Sequence, residues 1–517
     1  MITIVNYQIT WLTSSNRDIK MTKHSKLLKG ICLAVLLSGT APAFAQDANA
    51  VTFVQAVEPQ GLDPTVSSPV AAGQVTWQNV FEGLVAIDNG GHIVPQLATE
   101  WTVSEDGLSY TFTLREGVTF QNGVPFNAET AKFTLERIIG ENSTNGQKAN
   151  YTAISSIGAP DASTLVLTLS ARRADLLYWL GYPAAVMVEP SSAENNGTEP
   201  VGTGPYKVSE WRKGDRVIMS TWDGYWGETP AMTTVTARFI GDAQAQAAAL
   251  QSGQVDIVGD LGAPELFKQF ADDNRFTTVA GSGEMEIVAG MNNAKPPFDD
   301  VRVRQALMMA VDRPSLIAAV SSGYGTPIGS HFSPANPFYE DLTELFPYDP
   351  EKAKALLAEA GHPNGFTFDF KVPTRPYAQR SAEILQAFFS QIGVTANIQS
   401  SDFPAAWIKD VFKDTNYDMT IIGHAEPLDI GIYSRDSYYF NYDSPELKAE
   451  AGVIAAAVNE DEREAGYRKA QEMLANDLPA LFLFSYPKLG VWKAGIDGVW
   501  ENGPVPANDM TDVRRAE

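Results

Sequence analysis

The chain of 517 residues has one cysteine, Cys32, and few basic side chains. Cys32 lies in a short apolar run near the N-terminus, and that run is too short to cross a bilayer. Once the run is removed, no thiol remains for a disulfide. Lys and Arg total 38 against 62 Asp and Glu, which gives a formal net charge of −24. A chain this acidic repels phosphate backbones, which argues against nucleic acid as a partner.

The N-terminal region has the order of segments found in an export signal. Three lysines precede an apolar run and a small-residue site: Lys23, Lys26, Lys29, Ile31 to Leu37 and Ala43-Phe44-Ala45. We expect translation to start at Met21 and cleavage to follow Ala45. The alternative is a buried N-terminal helix. Because no cysteine stands at the cleavage point, we expect a soluble periplasmic protein and not a lipoprotein.

The chain is too long for one hydrophobic core, so two or more domains are expected. Thr164–Leu169 and Phe366–Val372 have the composition and length of strands. Asp349–Gly361 reads as a helix with Asp349 as its N-cap, Pro350 in its first turn and Gly361 at its end. Ser381–Gly393 repeats this pattern. Helices followed by short strands predict α/β units with mixed sheets.

Several motifs follow one another in a fixed order along the chain. They are Gly61-Leu62-Asp63-Pro64, Phe81-Glu82-Gly83-Leu84, Gly202-Thr203-Gly204-Pro205-Tyr206, Tyr225-Trp226-Gly227, Phe298 to Leu307 and Tyr348 to Gly361. In this order, over more than 400 residues, the chain resembles the peptide/nickel-type (dipeptide- and oligopeptide-binding-like) periplasmic solute-binding proteins of ABC transporters. Phosphate loops, nucleophile elbows and HExxH or EF-hand patterns are absent from the sequence, so we expect a binding protein and not an enzyme.

The resemblance implies an α/β fold of two lobes around a hinged cleft, with mixed sheets and an extra subdomain in the first lobe. The implied parts are an N-terminal extension with its signal at 1–45, a first lobe at 46–280 plus 482–517, a subdomain at about 71–189, a second lobe at 290–478, and a hinge near 281–290 and 477–484. In such a fold, contacts from both lobes favour the closed form once ligand is bound.

The sharpest candidate for ligand contact is Arg375, in a segment that runs from strand to helix. It resembles the family arginine that holds the ligand carboxylate, and a guanidinium forms two parallel hydrogen bonds with such a group. The alternative is an arginine that only bridges loop and helix. Tyr377 lies beside it. Trp407 matches an aromatic position near ligand in relatives, and Ser68 falls where relatives place a small hydroxyl residue.

A second candidate region follows the apolar segment that ends at His424. Relatives that bind peptides place there an aspartate for the ligand ammonium group, but Pro427 stands at that point here. Glu426 or Asp429 could take the role, or both could be solvated loop acids. His424 is a third candidate. The histidines show no pair at metal spacing in the sequence, so we expect no protein metal site and no cofactor.

The sequence therefore predicts the substrate-binding component of an ABC importer. The expected cargo is a short peptide, an opine or another carboxylated amino-acid derivative, which lobe closure captures and the inner-membrane permease receives. An oligosaccharide carrier is the alternative cargo class, because the family includes such carriers and aromatic loops suit sugars. A periplasmic chaperone or a chemoreceptor-coupled binding protein is the alternative from another class. We expect a monomer.

Overall fold

The structure is a computed structural model that describes residues 48–66, 69–425 and 427–516. The export signal, Ser68 and Glu426 lie outside the described residues. Within those ranges, no helix combines the length and the apolar character that a membrane span requires.

Strands and helices alternate along the described chain. The strands are β1 (Ala50–Gln55), β2 (Val85–Ile87), β3 (Ile93–Pro95), β4 (Ala98–Val103), β5 (Ser109–Leu114), β6 (Ile154–Asp161), β7 (Thr164–Leu169), β8 (Tyr206–Arg212), β9 (Arg216–Thr221), β10 (Thr234–Phe239), β11 (Ile257–Val258), β12 (Phe276–Met291), β13 (Thr326–Pro327), β14 (Thr367–Pro373), β15 (Thr395–Ser401), β16 (Met419–His424), β17 (Ala480–Lys493), β18 (Ile496–Asp497) and β19 (Arg514–Arg515). The helices are α1 (Pro69–Thr76), α2 (Ala128–Ile139), α3 (Leu176–Gly181), α4 (Ala243–Gln251), α5 (Pro264–Ala271), α6 (Val301–Met309), α7 (Arg313–Ser321), α8 (Pro350–Glu359), α9 (Pro376–Gln391), α10 (Ala405–Trp407), α11 (Pro445–Ala456) and α12 (Glu460–Asp477).

One mixed sheet of eleven strands extends through the described part of the chain. Its order is β15-β14-β16-β12-β17-β11-β1-β10-β9-β8, with β13 added beside β17. The antiparallel pair β12 and β17 forms the middle of this sheet, with Gly290 opposite Ala480 at one end and Phe276 opposite Lys493 at the other. These two long strands therefore join the group β15-β14-β16 on one side of the sheet to the group β11-β1-β10-β9-β8 on the other.

Buried apolar side chains form two large cores and one small core. The first large core includes Phe53, Trp77, Phe112 and Tyr206; the second includes Phe298, Phe370, Phe389 and Phe482; the small one includes Phe267, Phe270 and Leu489. A separate four-stranded antiparallel sheet, β4-β5-β7-β6, belongs to the first large core. Its strand β7 alternates as predicted, with Leu165, Leu167 and Leu169 buried.

The two helices predicted from their end signals are confirmed. In α8 the Asp349 side chain accepts from the Lys352 N–H at 2.9 Å, and Gly361 adopts a left-handed φ of +94°. Helix α9 begins at Pro376, five residues before the predicted segment, because a proline is favoured in the first turn, where its missing N–H costs nothing. Its apolar side chains at helical spacing, Ala382, Leu385, Phe389 and Ile392, are buried.

Motif residues that lie far apart in sequence meet in the first lobe. The buried Glu82 carboxylate accepts hydrogen bonds from the Tyr225 hydroxyl at 3.1 Å and the Trp226 indole N–H at 2.9 Å. Burial raises the Glu82 pKa despite these donors. Gly202 lies so close to Val80 that an added Cβ would stand 1.9 Å from the Val80 carbonyl oxygen. These motifs therefore serve local packing.

Candidate ligand-binding site

The candidate site lies where three strands of the second lobe end at one edge of the sheet. Strand β14 pairs in parallel with both β15 and β16, so their carboxyl ends, Pro373, Ser401 and His424, open at the same edge. Ligands of α/β sheets bind outside such carboxyl ends. The loops after these strands carry Arg375, Phe403 and Asp429. Three predicted site residues, Arg375, His424 and Asp429, are therefore brought to this edge of the sheet.

Arg375 is positioned by its backbone and by an aromatic ring. Its N–H donates to the Pro373 carbonyl at 2.7 Å, and its guanidinium carbon lies 4.7 Å from the centre of the Phe403 ring. The side chain is partly exposed. Across residues 48–66, 69–425 and 427–516, no carboxylate forms an ion pair with it. Stacking on an aromatic face orients a guanidinium while its N–H groups stay available.

Tyr377 links the start of α9 to the end of β16. Its hydroxyl oxygen accepts the Gly423 N–H at 2.9 Å, and its ring lies 6.4 Å from that of Tyr486 on β17. Burial raises the Tyr377 pKa, whereas the charge of Arg375 opposes that effect. The phenol is therefore neutral and close to Arg375, and it keeps its own O–H to donate.

Trp407 is 4% exposed and packs within the second core. Its indole N–H donates to the Thr420 hydroxyl at 2.9 Å, and its ring lies 5.8 Å from Phe403 and 5.7 Å from Tyr439. In this conformation Trp407 supports the ring on which Arg375 rests. Its predicted contact with ligand stays a prediction.

His424 and Asp429 contact each other in the loop that follows β16. Nδ1 of His424 lies 2.6 Å from Oδ2 of Asp429, whose carboxylate is 4% exposed. Burial opposes ionisation of Asp429, but His424 and His331 outweigh it and hold its pKa well below the ordinary value. One carboxylate oxygen is thus already engaged, and Asp429 is not a free loop acid. Its predicted role toward a ligand ammonium stays a prediction.

His331 is a residue that the sequence analysis missed. It is fully buried, and its Nε2 lies 3.5 Å from Oδ2 of Asp429. Burial lowers the His331 pKa, although the nearby carboxylate of Asp429 acts in the opposite direction. A sequence separation of 93 positions hides the pairing of His331 with His424, so no local signal could have revealed it.

Glu284 and Glu286 were also missed, although a sequence signal existed. They alternate in strand β12, whose other side chains are all uncharged, and the register places Glu286 opposite His424. The pairing of β12 with β17 shifts between Ser282 and Glu286, so Glu284 lies in a bulge. Bulges often redirect side chains beside functional sites. Burial, reinforced by the charge of Asp429, raises the Glu284 pKa to about 8.

Glu284 also lines a small cavity between segments that lie far apart in the sequence. The other lining side chains include Ile93, Tyr178, Pro337, Phe338, Leu428, Arg463 and Pro504. Its volume of about 10 Å³ holds roughly one water molecule. Beside it the Arg463 guanidinium donates to the Ala174 carbonyl at 2.7 Å. Helix α12 and the segment around Ala174 therefore contact each other directly in this conformation.

Comparison with known proteins identifies the family. A family model described as bacterial extracellular solute-binding proteins, family 5, middle region, matches residues 92–445. The chain belongs to this family. Glutathione-binding protein GsiB of Salmonella typhimurium is 33% identical over 352 residues, which are 67% of each chain. Two solved structures are similar at 25% identity and cover 90% of this chain. They are the binding protein AgaA from A. tumefaciens R10 with agropinic acid (TM-score 0.68, 99% of that chain) and DppA from Helicobacter pylori with the peptide STSA (TM-score 0.70, 98%).

Family 5 membership confirms the predicted fold and the predicted class of function. The protein has the two-lobed α/β fold of periplasmic binding proteins, and it is the solute-binding component of an ABC importer. Members of the family act outside the cytoplasm, bind small ligands and deliver them to ABC permeases. The edge that carries Arg375, Tyr377 and His424 is accordingly the candidate ligand site of a family 5 protein.

Proposed function

We propose that this family 5 protein captures a short peptide, an opine or another carboxylated amino-acid derivative. The observation that carries the proposal is Arg375. Its guanidinium rests on Phe403 at the carboxyl edge of three strands, and no ion pair engages it within the described residues. A bidentate pair with a ligand carboxylate would satisfy that charge. Tyr377 stands beside it as a neutral hydroxyl donor.

The names of similar proteins support this class of cargo. GsiB is named for glutathione, and the two similar solved structures contain agropinic acid and the peptide STSA. All three ligands contain carboxylates. A neutral sugar would not use the charge of Arg375, which makes an oligosaccharide the weaker alternative.

We further propose that capture proceeds by lobe closure. The lobes would comprise 46–280 with 482–517, including the subdomain at about 71–189, and 290–478, and would hinge near 281–290 and 477–484. The support is the pair β12 and β17, which spans the sheet between the two large cores. Ligand then stabilises the closed form by the difference in its affinity for the two forms. The mature protein would be a monomer without catalytic activity, cleaved after Ala45 and free of lipid.

Isothermal titration of the mature protein tests the cargo. The titrants are glutathione, agropinic acid, a set of dipeptides and a neutral maltooligosaccharide. We expect a carboxylated titrant to bind, and Arg375→Ala to weaken that binding about 100-fold, because truncating one partner of a desolvated charge pair costs about 2–5 kcal/mol. Mass spectrometry of small molecules released on denaturation provides an independent reading of the cargo.

Arg380→Ala is the matched control, since Arg380 is an exposed arginine on the same helix. It should leave binding unchanged. If Arg375→Ala bound a carboxylated ligand with the affinity of the wild-type protein, that result would contradict the role of Arg375. A released neutral glycan, or binding of the maltooligosaccharide alone, would contradict the carboxylate cargo and leave the carrier function standing.

A further inference from the structure

Three side chains at the edge of the candidate ligand site, His331, His424 and Asp429, direct polar atoms toward a common centre. Nδ1 of His424 and Nε2 of His331 approach the same carboxylate oxygen, at 2.6 and 3.5 Å. The three atoms available as ligands all lie within 4.8 Å of one another. Two imidazoles and one carboxylate form a donor set that suits Zn²⁺ and neighbouring first-row metals.

Several buried polar atoms in and beside this cluster lack a hydrogen-bond partner within the described part of the chain. Nε2 of His331 and Oδ1 of Asp429 are buried and have no hydrogen-bond partner there. Oε2 of Glu286, which the strand register places opposite His424, is also buried and unpartnered. Unsatisfied buried polar atoms are rare in native proteins, and an ion is one of the few partners that explains three together.

The outer nitrogens of both histidines are held by buried phenols. Nδ1 of His331 lies 2.8 Å from the Tyr433 hydroxyl, and Nε2 of His424 lies 3.0 Å from the Tyr439 hydroxyl. Each phenol fixes the orientation of one ring and leaves the opposite nitrogen facing Asp429. Metal-binding histidines are held in this way by a second layer of hydrogen bonds. A cluster that served only as an ion pair would not need both rings fixed with their inner nitrogens directed to one point.

We propose that His331, His424 and Asp429 bind one divalent transition-metal ion, preferentially Zn²⁺, with protein side chains alone. Tetrahedral Zn²⁺ with bonds of about 2.0–2.1 Å places its ligand atoms roughly 3.3 Å apart. The ligand atoms now lie within 4.8 Å of one another, so the widest pair must close by roughly 1.5 Å on binding. The fourth position faces Glu286 or takes water. The ion would join the buried loop at His331, the end of β16 and the turn Asp429–Ser434 into one wall beside the candidate site.

Metal titration of the untagged mature protein tests the proposal. After dialysis against a chelator, the protein is equilibrated with ZnCl₂, and bound metal is counted by mass spectrometry. We expect one tightly held Zn²⁺ per chain, weaker Mn²⁺ and no competition by Mg²⁺. The Co²⁺ form should show the intense visible absorption of a tetrahedral site, and Zn²⁺ should abolish it. Less than one tightly bound Zn²⁺ per chain would overturn the proposal.

Variants separate this site from surface histidines. Asp429→Asn and His331→Gln should weaken Zn²⁺ binding at least 100-fold, and circular dichroism of the metal-free forms shows whether they fold. Tyr433→Phe removes the hydrogen bond between the Tyr433 hydroxyl and His331 without a change of charge, and it should weaken Zn²⁺ binding about 10–100-fold. This variant tests the site even if a variant of a metal ligand fails to fold. His92→Gln is the control, because His92 is largely exposed. Unchanged affinity in folded Asp429→Asn or Tyr433→Phe, or a loss in His92→Gln, would refute the site.

Discussion

Replacing Glu284 by glutamine should make the protein more stable at high pH and leave it unchanged at low pH. Glu284 lies in the bulge of β12, lines the small cavity beside Arg463 and faces the negative charge of Asp429. No lysine or arginine forms an ion pair with it within the described residues. Its ionised form is therefore disfavoured, and burial with this repulsion raises the Glu284 pKa to about 8 from an ordinary 4.5.

The sign and size of the effect follow from proton linkage. Between pH 4.5 and about 8 the folded protein keeps a proton on Glu284 that the unfolded chain releases. The free energy of unfolding therefore falls as the pH rises through this window, and the loss is complete above about pH 8. The full displacement corresponds to roughly 5 kcal/mol. Because Glu284 is partly exposed, solvent screening reduces the expected loss to about 2–4 kcal/mol.

Urea denaturation at pH 5, 7 and 9 measures this window, with a chelator present and with tryptophan fluorescence and circular dichroism as parallel probes. Glu284→Gln should match the wild type at pH 5 and exceed it by about 2–4 kcal/mol at pH 9. Glu116→Gln is the control, since Glu116 is an exposed acid, and it should not alter the pH dependence. A constant difference between Glu284→Gln and wild type across the three pH values would refute the reasoning.

Three further substitutions test the packing. Glu82→Ala leaves the partly buried Tyr225 hydroxyl and Trp226 indole without their acceptor and should lower the free energy of unfolding by about 2 kcal/mol in urea denaturation, whereas Glu82→Gln should lose less than half of that. Gly202→Ala forces its Cβ against the Val80 carbonyl and should lower the free energy of unfolding by about 3 kcal/mol or prevent folding. The control Gly197→Ala has open space around its Cβ and should change that free energy by no more than about 0.5 kcal/mol. Thermal melts of both variants measure the difference. Trp407→Phe removes one buried hydrogen bond and should cost about 1–2 kcal/mol, measured by the shift in denaturation midpoint.

Local features of the fold could be predicted because local chemistry determines them. The end of α8 needs a left-handed residue, and Gly361 provides it; its start needs a side-chain acceptor, and Asp349 provides that. The inward face of α9 follows from helical periodicity. The start of α9 was placed too late because Pro376 at the first turn was not recognised as the initiating residue.

The candidate site could be predicted only where its residues share a loop. Arg375 and Tyr377 lie within three positions of each other, and the strand-to-helix transition that exposes them is visible in the sequence. His331 pairs with residues about a hundred positions away, and the tertiary fold alone creates that proximity. Glu284 and Glu286 were accessible to sequence reasoning, since two acids that alternate next to the apolar run Ile287–Met291 contradict the pattern of a buried strand.

The two acids affect the stability of the strand pair β12 and β17. A strand that only joined two cores would be more stable with apolar residues at these positions, because buried carboxyl groups without cations oppose folding. The acids lie where β12 pairs with β17 and with the end of β16, so their charge state acts on the two strands that join the halves of the large sheet. Burial raises the pKa of Glu284 and of Glu286, and the folded protein therefore keeps both carboxyl groups protonated near neutral pH. A cation that entered this junction, whether a metal ion or a ligand ammonium group, would offset the cost of burial and favour the ionised carboxylates.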